Sequence, residues 1–190
     1  MATVGFEKLT IRVQDNATPT IGKNVFEISG KKDGGATATA KISGLASEPV
    51  KTYGSNKPYY VSSKGVGDAK IDLDIIDMPQ LVLDAVLGLK ADENGVVTAT
   101  SETEAPYCSV LLEDSDIRGN SVLLGFMSGK FSYDGTDLET LQGKATELKP
   151  ETISYAVSAD DEGRYYTKYV GTTDTAIAAV KTSLGIVAGA

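Results

Sequence analysis

The sequence predicts a mainly β protein of six or seven strands, with one internal helix and one short helix near the C-terminus. Three observations predict it. Apolar and polar residues alternate strictly over 68–76 and more loosely over 36–43, the period of strands with one wet face. Glycine, 20 of 190 residues, exceeds the average of about 7%, and turn-forming clusters separate the apolar runs. Helical spacing of apolar residues is confined to about 78–89 and about 175–184.

Val25 to Ser29 is a short mixed run closed by the turn at 31–35. Ala36 to Ser43 alternates small apolar with polar residues and reads as a strand. Residues 45–67 read as a long loop, holding Pro49, Pro58 and the polar, Tyr-rich stretch 53–60. Loops of that length in a compact domain are usually functional. From Asp68 to Ile76, Ala69, Ile71, Leu73 and Ile75 point one way, and Asp68, Lys70, Asp72 and Asp74 the other.

The helix at about 78–89 follows at once. Asp77 with Gln80 matches a capping box, Ile76 with Leu81 a hydrophobic staple, and Pro79 suits the first turn. Met78, Leu81, Val82, Ala85, Val86 and Leu89 form its apolar stripe. Residues 90–105 are polar and turn-like, with Asn94-Gly95 as a tight turn. Strands are expected at 107–112 and 121–133, with Gly125 and Gly129 as bulges or close-approach sites. Residues 151–158 and 164–170 read as a hairpin around 159–163. Ile177, Val180 and Leu184 at helical spacing, stopped by Gly185, give the last helix. Residues 1–20 and 171–190 read as N- and C-terminal arms of one domain spanning 1–190.

Composition argues against most enzymes. There is no His, which removes the Ser-His-Asp and Cys-His triads and the commonest general base at neutral pH. One Cys allows neither an internal disulfide nor a Cys-rich metal cage. The 26 acidic and 18 basic residues give a net charge of −8, a poor balance for gripping phosphate. No signal peptide or membrane span is expected.

The local motifs are weak. Gly125-Phe126-Met127-Ser128-Gly129-Lys130-Phe131 is one residue short of a phosphate loop, lies in a strand pattern, and has Phe131 where a magnesium-holding hydroxyl belongs. Asp134-Gly135-Thr136-Asp137 departs from a calcium loop at Leu138. The acidic turns 114–116 and 160–162 read as solvated turns. Cys108 reads as a buried, inert thiol. No catalytic residue, cofactor site or metal site is expected. The tyrosines at 53, 59, 60, 155, 165, 166 and 169 outnumber what a core needs, and Tyr is favoured at protein interfaces.

The order of elements resembles a known family. A polar opening Val-Gly-Phe-Glu-Lys-Leu, the small-residue strand 36–43, the Tyr-rich loop 45–66, and an acidic strand running straight into a helix (68–89) come first. The runs 106–113 and 121–131 complete the pattern. It is similar to the major tail protein, or tail tube subunit, of long-tailed bacteriophages that infect Gram-positive bacteria, over roughly residues 4 to 170. The resemblance implies an antiparallel β-sandwich or half-barrel flanked by one helix. It also implies a structural virion protein whose six copies form a ring. Four strands from each copy would line a common barrel, and rings would stack into the conduit for genome ejection. Twenty-four strands at about 4.8 Å spacing and about 40° tilt give a diameter near 48 Å, wide enough for duplex DNA.

On that reading the partners are further copies of the chain and other tail proteins, such as the tape measure and tube terminators. DNA passes without specific binding, no membrane is involved, and assembly takes place in the host bacterial cytoplasm. Asp68, Asp72, Asp74, Thr37 and Thr39 are the expected lumen-facing residues, with Lys41 the basic residue of the strand 36–43. Tyr53, Asn56, Lys57, Tyr59 and Tyr60 are the expected ring-to-ring contacts. Two other readings compete: the inner tube of a contractile injection device, which shares the fold, and a β-sandwich adhesin or decoration module.

Overall fold

A computed structural model describes residues 4–136, 140 and 148–187. In chain order the elements are β1 (Lys8–Val13), β2 (Val25–Ile28), β3 (Ala36–Ser43), β4 (Val50–Gly54), β5 (Lys57–Ser62), β6 (Lys70–Ile76), α1 (Gln80–Leu87), β7 (Cys108–Ser115), β8 (Ser121–Phe126), β9 (Ser128–Ser132), β10 (Glu151–Ser158), β11 (Tyr166–Gly171) and α2 (Asp174–Ser183). The fold is mainly β and antiparallel, with one internal and one C-terminal helix among the described residues, as the sequence predicts. A five-stranded sheet runs β11-β8-β7-β1-β2, a four-stranded sheet runs β3-β6-β10-β9, and β4 and β5 pair as a separate ribbon.

The two larger sheets enclose the main core. Leu9, Ile11, Val110 and Phe126 from one sheet meet Ile71, Leu73, Ile75 and Tyr155 from the other, and Val82, Leu83 and Val86 of α1 join them. The expected inward face of 68–76 is therefore inward. Tyr155, counted above among surplus tyrosines, is core: its hydroxyl donates to the Cys108 carbonyl at 2.7 Å, tying β10 to β7. A second cluster lies on the other side of the five-stranded sheet, where Val180, Leu184 and Ile186 cover Val25, Leu111, Leu123 and Met127. The five-stranded sheet is thus covered on both faces.

Several local expectations are corrected. Residues 8–13, placed above in an N-terminal arm, form β1 near the middle of the five-stranded sheet, between β2 and β7. The C-terminal arm is partly a docked helix, α2, with Val180 buried. Residues 1–3 and 188–190 of those arms, and Asp137 and Leu138, lie outside the described residues. The run 121–133 divides at Met127 into β8 and β9, which belong to different sheets. Residues 151–171 are not a hairpin: β10 pairs with β9 and β11 with β8, so both chains bend together at one corner and the 159–163 turn bulges from it.

Helix α1 starts at Gln80 after Pro79 without a side-chain cap. Asp77 has left-handed backbone (φ 54°), and Gln80 donates to Asp84 instead, so the capping box is absent. Leu81 is exposed and Leu83 takes its place in the core. Gly88 ends the helix at φ 72°, and a Cβ there would stand 2.1 Å from the Glu104 carbonyl oxygen. Gly88→Ala therefore combines a left-handed penalty with a backbone clash. It is expected to lower stability by about 2–3 kcal/mol, read from urea unfolding at constant slope.

Buried Arg12 fastens both ends of the fold. Its Nε donates to the Gly185 carbonyl at 3.1 Å, and Nη2 donates to that of Ala17 at 2.6 Å. Its Nη1 donates to the Val13 carbonyl and to Asp15 at 2.9 Å. Asn24 donates to the same Asp15 carboxylate at 3.0 Å. Burial works against the charge on Asp15, but the hydrogen bonds from Asn24 and Arg12 outweigh it and hold its pKa down to about 2. The unfolded value is about 3.9. A depressed acid contributes stability that is complete above about pH 4 and is lost as pH falls through about 2. Asp15→Asn should flatten the fall of the urea midpoint across that window. The change is small, because the side chain is 39% exposed and solvent screens it.

Candidate functional site

Among the described residues, the four-stranded sheet has one face in the core and one left open. Cross-strand register sets out the open face in three rows. Thr39, Asp74 and Thr152 lie side by side; so do Lys41, Asp72, Ser154 and Ser132; and so do Ser43, Lys70, Ala156 and Lys130. The face follows from strict alternation in β6 and from partners that supply Thr, Ser and Lys opposite its carboxylates.

The rows are hydrogen-bonded across the strands. Thr152 donates to Asp74 Oδ1 at 2.6 Å, and Thr39 donates to its Oδ2. Ser154 donates to Asp72 at 2.7 Å, and the Lys70 ammonium lies 2.9 Å from the same oxygen. Lys130 pairs with Glu104 and sits 4.6 Å from the centre of the Tyr107 ring. Hydrogen bonds from Lys70 and then Ser154 hold the Asp72 carboxyl below the usual range, and those from Thr152 and Thr39 do the same for Asp74. Both stay ionised into mild acid. Their acceptor sites are largely occupied, so the face offers fixed, neutralised carboxylates rather than free ones.

The expected residues divide. Thr39, Asp72 and Asp74 share the open face. Thr37 does not: the register shifts between Thr37 and Thr39, so Thr37 pairs with buried Ile75 and donates to the Phe6 carbonyl at 2.5 Å. Such a bulge reverses the alternation of one strand and leaves no mark in it. Asp68 is exposed but precedes β6, beside Gly44, where a Cβ would meet the Asp68 carbonyl at 1.9 Å. Lys70 and Lys130 join Lys41 on the face, so it carries mixed charge rather than a run of carboxylates. Thr152, Ser154 and Ser132 were not singled out by sequence. Alternation within β10 was the available signal for the first two.

The stretch expected to be a long loop is an extended ribbon. β4 and β5 pair from Val50↔Ser62 to Gly54↔Lys57, and Ser55 and Asn56 both have positive φ (51° and 60°). That is the two-residue turn whose twist matches a hairpin. All of β4 and all of β5 except Ser62 are exposed, Tyr53 by 66%, Tyr59 by 85% and Tyr60 by 60%. An isolated two-stranded hairpin is marginal in water, so exposed aromatic residues on one mark a docking element. Among the described residues no cluster of His, Cys, Asp or Glu could hold a metal ion.

The family model for phage tail tube proteins matches residues 1–177. No curated protein matches the chain. With nearly its whole length matched, the chain belongs to the phage tail tube protein family, whose members are structural components of the virion tail rather than catalysts.

Proposed function

We propose that this tail tube protein closes into hexameric rings, that the rings stack, and that the open face of the four-stranded sheet lines the bore through which the genome leaves. One observation carries the reading. In a tail tube chain whose five-stranded sheet is covered on both faces, the four-stranded sheet keeps, among the described residues, an uncovered polar face and ends at β3 and β9 with no further strand beside them. Unpaired sheet edges invite pairing with another chain, and closure into a barrel removes them. Four strands per copy is also the number the barrel arithmetic uses.

The wall chemistry fits passage without adhesion. Lys41, Lys70 and Lys130 offset Asp72 and Asp74, Glu104 offsets Lys130, and hydroxyls fill the rows between. Duplex phosphates meet no net positive strip on which to release counterions. Partners on this reading are other copies, laterally and axially, and the tail proteins at the ends of the tube. Assembly takes place in the cytoplasm of the host.

Negative-stain imaging of concentrated protein tests it: six-fold rings or tubes are expected, and rings of another order, or monomers at every concentration, would reject it. Replacing residues 50–62 by a short Gly-Ser link should leave the far-ultraviolet spectrum of a folded β protein while abolishing tubes. Tubes of normal length would remove the ribbon from stacking.

A further inference from the structure

Between the two sheets, at an open mouth of the sandwich, lies an apolar groove of about 350 Å³. Phe6, Ile42, Leu45 and Leu124 line it. Glu113 and Asp114 stand on its rim, with Lys168 also at the edge. Glu113 is matched by Lys8 at 3.4 Å and Lys181 at 2.9 Å. Asp114 accepts the Gly5 and Ser115 backbone N–H groups at 3.0 and 2.7 Å, and Glu7 lies beside it, accepting from the Ser115 hydroxyl at 2.7 Å.

The ribbon has the complementary chemistry. The pairing shifts between Thr52 and Tyr53, leaving Tyr59 as the extra residue of β5, so Lys57, Tyr59 and Tyr60 share the face of Thr52 and Gly54 while Lys51 and Val61 point to the other. From Pro49 to Gly67 there are three lysines and no carboxylate, so the remainder of the chain carries −11 against a total of −8. The ribbon is thus a basic, aromatic projection from an acidic protein. It does not occupy its own groove: Leu45 at its root lines that groove, Tyr59 is 85% exposed, and the strand reaches about 17 Å from Val50 to Ser55.

We infer that the groove is the receptor for the ribbon of a second copy, with Tyr59 entering the apolar mouth and Lys57, on the same face, meeting the Asp114 and Glu7 carboxylates. The inference rests on the self-assembly reading and assigns that contact its receptor. Burying the exposed Tyr59 ring supplies the affinity, and the opposite charges set which face enters.

Disulfide trapping between singly substituted chains tests it. Thr52→Cys chains, which keep Tyr59 and carry the thiol on its face of the ribbon, are mixed with Lys168→Cys chains, or with Lys23→Cys chains as a remote control, and oxidised mildly. Native Cys108 does not compete, because burial pushes its thiol up to about 12. The 52–168 heterodimer should exceed the control about tenfold, as docking raises local concentration. It should fall when salt is raised from about 0.05 to about 0.5 M or when Lys57→Glu is added to the Thr52→Cys chain. Yields equal to the control would overturn the inference; if tubes still form, the tube reading stands without it. A strong 52–168 link in a protein that never forms rings would uphold the groove contact and reject the tube. A link indifferent to both salt and Lys57→Glu would overturn the part played by charge.

Discussion

Arg12→Met is expected to unfold the protein at a midpoint about 6–12 °C lower, corresponding to about 3 kcal/mol for a chain of this size. The side chain is 6% exposed and sits on the covered face of β1. Its guanidinium satisfies carbonyls of Val13, Ala17 and Gly185 together with Asp15. Met replaces the volume but none of the donors, so buried acceptors lose their partners. Three of those acceptors, Asp15, Ala17 and Gly185, lie in the 15–17 turn and in the chain just after α2, so Arg12 ties both segments to β1. Arg12→Lys should fall between, since an ammonium keeps the charge and cannot span the fork. Ser109 donates to the Leu184 carbonyl at 2.5 Å beside it, so Ser109→Ala in the Arg12→Met background should add less than it does alone. Differential scanning calorimetry of the single and double variants checks both statements.

That same residue shows why part of the fold was hidden. Leu9, Ile11 and Val13 alternate as a strand should, yet Thr10 and Arg12 between them read as a solvent face. They are buried because α2 lies over that side of the sheet, and nothing in residues 8–13 announces a helix some 160 positions away. Where one face really is wet, as in β6, alternation located the core residues correctly. The ribbon β4–β5 was missed for a different reason. Its residues are exposed on both faces, so no hydrophobic period exists to be read, and its turn is Ser-Asn rather than a glycine turn. The corner at Met127 and the bulge before Thr39 are also silent, since both depend on where a second sheet lies. Of the open face, the carboxylates of β6 were legible. Their hydroxyl and lysine partners came from β3, β9 and β10 through register, which a single strand does not encode.

Turning Asp72 and Asp74 into Lys tests the face most directly. Each carboxylate now accepts two side-chain donors from its neighbours, so the change costs more stability than an ordinary surface reversal. The inward residues of β6 are untouched and fully buried, so the sandwich should still form, with a lower urea midpoint and an unchanged slope. What changes in kind is the wall. Lys41 and Lys70 lose the carboxylates that offset them, Lys130 alone keeps its partner Glu104, and two new ammonium groups stand in the same rows of every copy. If the rows line the bore, a nearly neutral wall becomes a continuous basic one. Tubes carrying the double variant should release DNA more slowly, and added salt should restore the rate, because the new attraction is to phosphate and is screened. Asn at both positions separates charge from structure: it keeps much of the hydrogen bonding, removes the negative charge, and should retard release less than Lys. Release at the normal rate in low salt, from tubes shown to contain the Lys variant, would place the face on the outside of the tube.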